Sequence, residues 1–411
     1  AAGSSRRRKR SKSKSKSTPT SPPTPTSPPT PTSPQQSPKP VKVPATTGSG
    51  TTKAKATPAP GWRNSDASKD YAFTEAHQKV LASQSSEERK QDRAEFDKAA
   101  QKRLNVLLKA EKKGKLTGDE PKELARLLAL AGRIGAAQTA LKRKDVEDVL
   151  KAAGYTVPEW YGQIRQGTFL NLTLRVHEAL MERLIQAESA LVADPKVNPD
   201  QLKPAELGVK LEMDHSTSDL RRPKAATGGS NLSMHTFGLA VDLNYNGNPF
   251  LGNAGRLAPD VVKRATSLVH GDSVDLLKPI GGPKEAYATL TSASQALQTY
   301  LSYRQLGNRD EFEDKVSKHT QLKGEPGDAA GWLKQIEKDG KALAKSADFR
   351  KHDPAEKGFI HFSEAFVLAL TGAGLYWGGT YPKAKDIMHF DLRQGVGATV
   401  DKKRREHDDN T

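Results

Sequence analysis

The sequence predicts an α+β protein: a small, mainly antiparallel sheet with packed helices and a large helical insertion, preceded by a helical module and a disordered basic, Pro/Ser/Thr-rich tail. Three observations lead there. From Phe73 onward apolar residues recur mostly at three and four spacing, the mark of amphipathic helices. Short alternating segments suited to strands interrupt that pattern at scattered points, with no regular strand–helix–strand order. The first 65 residues carry almost no large apolar side chains, so they cannot offset the entropy of ordering.

Residues 1–65 hold thirteen Lys and Arg and no acid, the first acidic residue being Asp66. Of the net charge of +17, the remaining chain therefore carries only +4. Thirteen of the twenty-six prolines lie between residues 18 and 60, in runs such as Ser21-Pro22-Pro23-Thr24-Pro25, which favour an extended spacer. The tail reads either as a solubilising linker or as a docking arm for anionic polymers or a delivery machinery. A nucleic-acid partner is not expected, because the folded part is nearly balanced in charge and holds no supporting motif. No apolar run follows the basic cluster as a secretory signal requires, and no run approaches the length of a membrane span.

Residues 66–154 form the expected helical module. Phe96, Ala100, Leu104, Leu107 and Leu108 trace one helix, Gly114 and Gly118 break it, and Asp119 ahead of Pro121 starts the next, with Leu124, Leu127, Leu128 and Ile134 on its apolar face. A further helix is expected from Asp145 to Ala153, stopped by Gly154. Pro158-Glu159-Trp160-Tyr161-Gly162 then opens a different unit, placing a boundary near Tyr155. Within residues 155–400, Leu172–Leu191 reads as helix, Leu207–Met213 and Leu239–Tyr245 as strands, and Ala286–Tyr303 and Gly358–Leu370 as helices inside an insertion of about 255–370. A last strand falls near Met388, and residues 401–411 read as a charged tail.

The chain has no cysteine, so any metal must be held by His, Asp or Glu. His235 and Asp242 stand seven residues apart, about 10 Å along a straight helix and too far to reach one ion. A turn at Gly238 followed by a strand removes that obstacle, putting Ala240, Asp242 and Asn244 on one face, with Asp242 pointing back toward His235. A second cluster runs from Trp377-Gly378-Gly379 to Asp386-Ile387-Met388-His389-Phe390-Asp391. Pro382 and the glycines place Asp386 on a loop leading into the strand, where it can address the same pocket as His389.

Together the two segments resemble the D-alanyl-D-alanine carboxypeptidase and L-alanyl-D-glutamate peptidase family of zinc enzymes. Its first motif, Ser-x-His-x-x-Gly-x-Ala-x-Asp, is met at Ser233, His235, Gly238, Ala240 and Asp242. The second segment is similar to the phage-endolysin branch, where Trp-Gly-Gly precedes Asp-x-x-His-Phe. The resemblance spans roughly residues 155–395. It implies Zn2+ held by His235, Asp242 and His389, with Asp386 as the catalytic acid/base. It also implies an arginine that stabilises the oxyanion, matched loosely at Arg221 in Ser218-Asp219-Leu220-Arg221-Arg222-Pro223, with Arg222 as alternate. Asp386 in place of the Glu of carboxypeptidase-type relatives implies an endopeptidase cutting between L-alanine and D-glutamate of peptidoglycan stems. A D-alanyl-D-alanine carboxypeptidase or dipeptidase, and a non-catalytic zinc-stabilised wall-binding module, are the alternatives. The implied place of action is the cell wall, reached by secretion, injection or another delivery route.

Other polar residues have plainer readings. Ser233 and Asn244 are expected to support the ligands, and an acid or carbonyl should lie behind each ligating imidazole. His177-Glu178 lacks the second histidine of a zinc helix, since Met181 stands there. His361 and Glu364 read as a helix-surface pair, and Asp214-His215 as a strand-end pair with a cleft role as the alternative; Asp391, which shares strand parity with His389, reads as a partner of Arg393 rather than as a competing ligand. Tyr376, Trp377 and Phe390 read as core.

Overall fold

The computed structural model describes residues 63–64, 73–170, 172–193, 232–252, 255–319 and 324–409. The tail expected over residues 1–65, apart from Arg63–Asn64, and the strand expected at Leu207–Met213 lie outside the described residues.

The N-terminal helices follow their local signals. Thr74 precedes α1 (Glu75–Ala82), Ser85 and Glu88 form a reciprocal capping box on α2 (Ser86–Glu95), and Asp97 accepts from the Ala100 amide to start α3 (Lys98–Lys112). Gly114 and Gly118, both at positive φ, turn the chain into α4 (Glu120–Ala152). The separate helix expected from Asp145 is instead the end of α4, which runs unbroken for 33 residues. Gly132 and Gly135 lie within it, and no proline follows Pro121 to interrupt the hydrogen-bond ladder. Leu104 and Leu107 of α3 bury against Leu124 and Leu127 of α4 as a small separate cluster, while Leu128 stays exposed. Val146, Val149 and Leu150, at the far end of α4, join the main core instead.

Beyond α5 (Val157–Tyr161), β2 (Ile164–Phe169) and β3 (Leu172–His177) form an antiparallel hairpin, with β1 (Arg63–Asn64) on the outer edge of β2. This corrects the helix expected over Leu172–Leu191, which begins only at Glu178 as α6 (Glu178–Ala193). Leu172, Leu174 and Val176 are buried on one face of the hairpin, a period of two that the helical signal of the following residues obscured.

Among the described residues the strands form three small antiparallel sheets, where one was expected. The second has the order β4 (Ala240–Asp242), β8 (His389–Leu392), β6 (Leu375–Trp377), and the third pairs β5 (Phe250–Leu251) with β7 (Lys385–Asp386). Between β5 and β6 lie α7 (Leu257–His270), α8 (Pro283–Ser302), α9 (Arg309–Lys318), α10 (Ala329–Lys345) and α11 (Glu364–Gly372). A buried Asp339 ties this segment together, accepting from Arg264 of α7 at 2.8 and 3.0 Å and from the Tyr300 hydroxyl of α8 at 2.8 Å. The helix expected from Gly358 starts later, at Glu364, where Ser363 accepts from the Phe366 amide. His361 is therefore not on a helix, and its amide donates to Asn248 Oδ1.

The charged residues 401–409 are helical rather than a loose tail. They belong to α12 (Val396–Asp409), whose Val400 enters the main core and whose Arg404 bonds Asp401, Asp408 and the Leu232 carbonyl. Overall the fold is mixed α+β.

Candidate metal centre

His235 lies on a short 3₁₀ turn, Met234–Phe237, which Ser233 starts by accepting from the His235 amide at 3.3 Å. Gly238 ends it in the left-handed region at φ 68°. A side chain there would meet Ile164 Cδ1 at 2.6 Å and the His177 amide at 2.9 Å, so both conformation and space demand glycine. The chain then runs straight into β4, whose final residue is Asp242. Turn and strand together close the seven-residue gap.

Register does the rest. Asp242 pairs directly with His389 across β4 and β8, which puts both side chains on one face of the sheet. Ala240 pairs with Asp391, and its single methyl leaves room for that carboxylate beside the imidazole. His235 Nε2 and His389 Nδ1 each lie 3.0 Å from Asp242 Oδ1 and 3.2 Å from each other. All three residues are buried, and the group can hold a metal ion.

Behind the cluster, Asp391 Oδ2 lies 3.2 Å from His389 Nε2. The expected pair with Arg393 is also present, at 2.9 Å from Nε to Oδ1, so Asp391 serves both partners. Tyr381 donates its hydroxyl to the same carboxylate, and Arg393 packs over the Tyr376 ring. Trp377 and Phe390 are fully buried, in agreement with the core reading, and Trp377 Nε1 donates to the Ile387 carbonyl.

The electrostatics follow from this crowding. Burial alone raises the pKa of Asp242, but the charges and hydrogen bonds of His235 and His389 override it and hold the carboxylate well below its usual range. Burial likewise works against charge on His389, yet its bonds to Asp242 and Asp391, with the nearby Asp386 charge, raise its pKa well above that of free imidazole. Metal binding at this site must therefore displace a proton.

Asp386 is half-buried and stands apart from the three mutually touching ligand atoms, while its charge is felt by both His389 and Tyr381. It lies on β7, paired with Phe250, rather than on the expected loop. Gly378 explains the Trp-Gly-Gly run: a Cβ there would lie 2.2 Å from the Asp386 carbonyl oxygen and 2.8 Å from its Cβ. The preceding residue of β7, Lys385, is fully buried, and its ammonium donates to the carbonyls of Lys278 and Tyr381.

Arg221, Arg222, Asp214 and His215 lie outside the described residues. Asn244, two residues beyond β4, is buried at φ 46°, its carbonyl accepting from the amides of Gly247 and Asn248. His177 sits at the end of β3, where Nδ1 accepts from the Ala179 amide and burial lowers its pKa to about 3.

Two residues that the sequence marked only as the start of a unit reach the site. Trp160 Nε1 donates to the Phe237 carbonyl at 3.0 Å, and the Tyr161 hydroxyl donates to the Thr236 carbonyl at 2.8 Å. No local pattern announces contacts spanning more than seventy residues. Comparison with known protein families, with curated proteins and with solved structures finds no significant match.

Proposed function

We propose that this chain is a zinc-dependent peptidase of bacterial cell walls, an endopeptidase cutting L-alanyl-D-glutamate bonds in peptidoglycan stem peptides. The observation that carries the reading is the triangle of His235 Nε2, Asp242 Oδ1 and His389 Nδ1, with sides of 3.0, 3.0 and 3.2 Å. Ligands held at 2.0–2.1 Å around a tetrahedral ion stand about 3.3 Å apart, so the triangle is close to one face of such a site. Two imidazoles and a carboxylate form a donor set suited to zinc, and Asp391 backs one imidazole as an outer partner should. Three protein ligands leave a coordination position for water, the arrangement of catalytic rather than structural zinc.

Bound zinc supplies a water acidified to a pKa of about 7 and a Lewis acid for the scissile carbonyl. The Asp386 carboxylate accepts the proton of the attacking water and returns it to the departing amine. Arg221 stabilises the oxyanion, an assignment that rests on the sequence resemblance. The substrate assignment rests on the sequence resemblance, in which Asp386 and the Trp377-Gly378-Gly379 run mark the endopeptidase branch. The protein acts at the wall after secretion, injection or another delivery, and its basic tail engages anionic wall polymers or a delivery machinery.

Digestion of purified sacculi by the zinc-loaded full chain tests this. New N-terminal D-glutamyl ends are expected, and Asp386→Ala should abolish them while zinc content stays at the wild-type level. Release of terminal D-alanine without such ends would replace the assignment with a carboxypeptidase. Zinc binding with no product at all would make the chain a binding module.

A further inference from the structure

We infer that Trp160 and Tyr161 are positioning residues for His235, setting the imidazole at the metal centre through the backbone of the turn that carries it. The inference rests on the metal-centre reading above, though not on the identity of the bond cleaved.

Consecutive donors meet consecutive acceptors: Tyr161 bonds the Thr236 carbonyl, and Trp160 bonds the Phe237 carbonyl. Both side chains are completely buried, so neither bond competes with water. Their helix, α5, is only five residues long, yet it is well fixed. Thr156 and Glu159 form a reciprocal capping box at its start, and Pro158 occupies its first turn. The Trp160 ring also packs against His177, tilted by 32° with centroids 4.2 Å apart, and the His177 amide donates to the Gly238 carbonyl at 2.9 Å. Three successive carbonyls after His235 are therefore held by one layer, made of α5 and the end of β3.

This matters because the proposed ligands come from two separately held parts. Asp242 and His389 are fixed to each other by direct pairing of β4 with β8. His235 lies outside that sheet, on the four-residue turn that precedes β4. Where its Nε2 falls relative to the other two atoms is then decided by what grips the turn. Ordinary core packing would account for the burial of the two aromatics. It would not require both of their polar atoms to reach adjacent carbonyls of the one turn that bears a ligand.

The test compares isosteric losses in the full chain. Tyr161→Phe removes one hydroxyl that holds the turn, and Trp160→Phe removes the indole donor. Tyr300→Phe removes an equally buried hydroxyl that bonds Asp339 in the helical segment. Zinc affinity is measured by chelator competition below the unfolding temperature, and cobalt is substituted to read ligand geometry from its visible absorption. Tyr300→Phe should lower the Tm and leave zinc affinity and the cobalt spectrum unchanged. Tyr161→Phe and Trp160→Phe should weaken zinc about 10–100-fold, the usual effect of losing an outer-shell partner, and alter the cobalt bands. Should Trp160→Phe fail to fold, Tyr161→Phe decides alone. Zinc affinity within about twofold of wild type, with an unchanged cobalt spectrum, would overturn the inference. A wild-type chain that takes up neither ion would overturn it together with the metal centre. A wild-type chain that binds zinc but cuts no wall peptide would remove only the peptidase assignment, and the metal-binding comparison would still decide the positioning role.

Discussion

Asp391 follows His389 by two residues on the same strand, and this spacing puts a carboxylate against the ring nitrogen that faces away from Asp242. The imidazole is thereby held with Nδ1 toward Asp242 and His235. Asp391→Asn keeps the size of the side chain but removes its charge, so zinc affinity should fall about 10–100-fold. Competition against a calibrated chelator measures this, and an unchanged affinity would make Asp391 a partner of Arg393 alone. Shared strand parity made Asp391 visible in the sequence, and its pairing with Arg393 was read from proximity along the chain. Its contact with His389 was read only as an unnamed acid or carbonyl expected behind the imidazole; in the structure the Tyr381 hydroxyl donates to the same carboxylate.

Gly238 and Lys385 act through the elements they join. At Gly238 a methyl group would have to adopt φ 68° and also displace Ile164 and the His177 backbone. Gly238→Ala should therefore cost about 1–3 kcal/mol of stability and also weaken zinc binding. Gly114 has φ 62° with open space around it, so Gly114→Ala should cost only about 1 kcal/mol and leave zinc binding alone. Denaturant unfolding with zinc titration compares the two, and equal effects would deny the close approach any importance. Lys385 holds the 275–282 loop against the strand that carries Asp386. Burial lowers its pKa from 10.5 to about 8, so between these values the unfolded chain binds more protons than the folded one. Its contribution to stability must then rise with pH from 8 to 10.5. Lys385→Met should flatten that rise, which unfolding curves at pH 8 and 10 measure; an unchanged slope would assign the effect elsewhere.

Element type was legible wherever one signal stood alone. The helix traced through Ala100, Leu104, Leu107 and Leu108 is present as α3, with Phe96 left outside it at the end of α2, and α4 begins where Asp119 and Pro121 were read to start it. The β3 strand was misread since its six residues abut a true helix and the two periods blend at their junction. The Asp145 helix was misread for the opposite reason, nothing in the sequence showing whether two helical patterns join.

For the whole molecule, residues 1–65 carry +13 of the net charge of +17. Removing residues 1–56 leaves the Arg63–Asn64 strand on the edge of β2. Hydrolysis of purified sacculi should be unchanged by that cut, and a loss of more than about tenfold would bring the tail into catalysis. Among the described residues no helix is long and apolar enough to cross a membrane.

The absence of cysteine limited metal donors to His, Asp and Glu, the resemblance to a zinc-peptidase family singled out His235, Asp242 and His389, and Gly238 marked the turn that lets the first two converge. These are properties of single residues and short runs, so they survive in a linear reading. The tertiary structure decided the register that sets Asp242 opposite His389 and the bonds of Trp160 and Tyr161 to the His235 turn. Each depends on segments up to about 150 residues apart in the chain, brought together only when the apolar faces of helices and hairpins share one core.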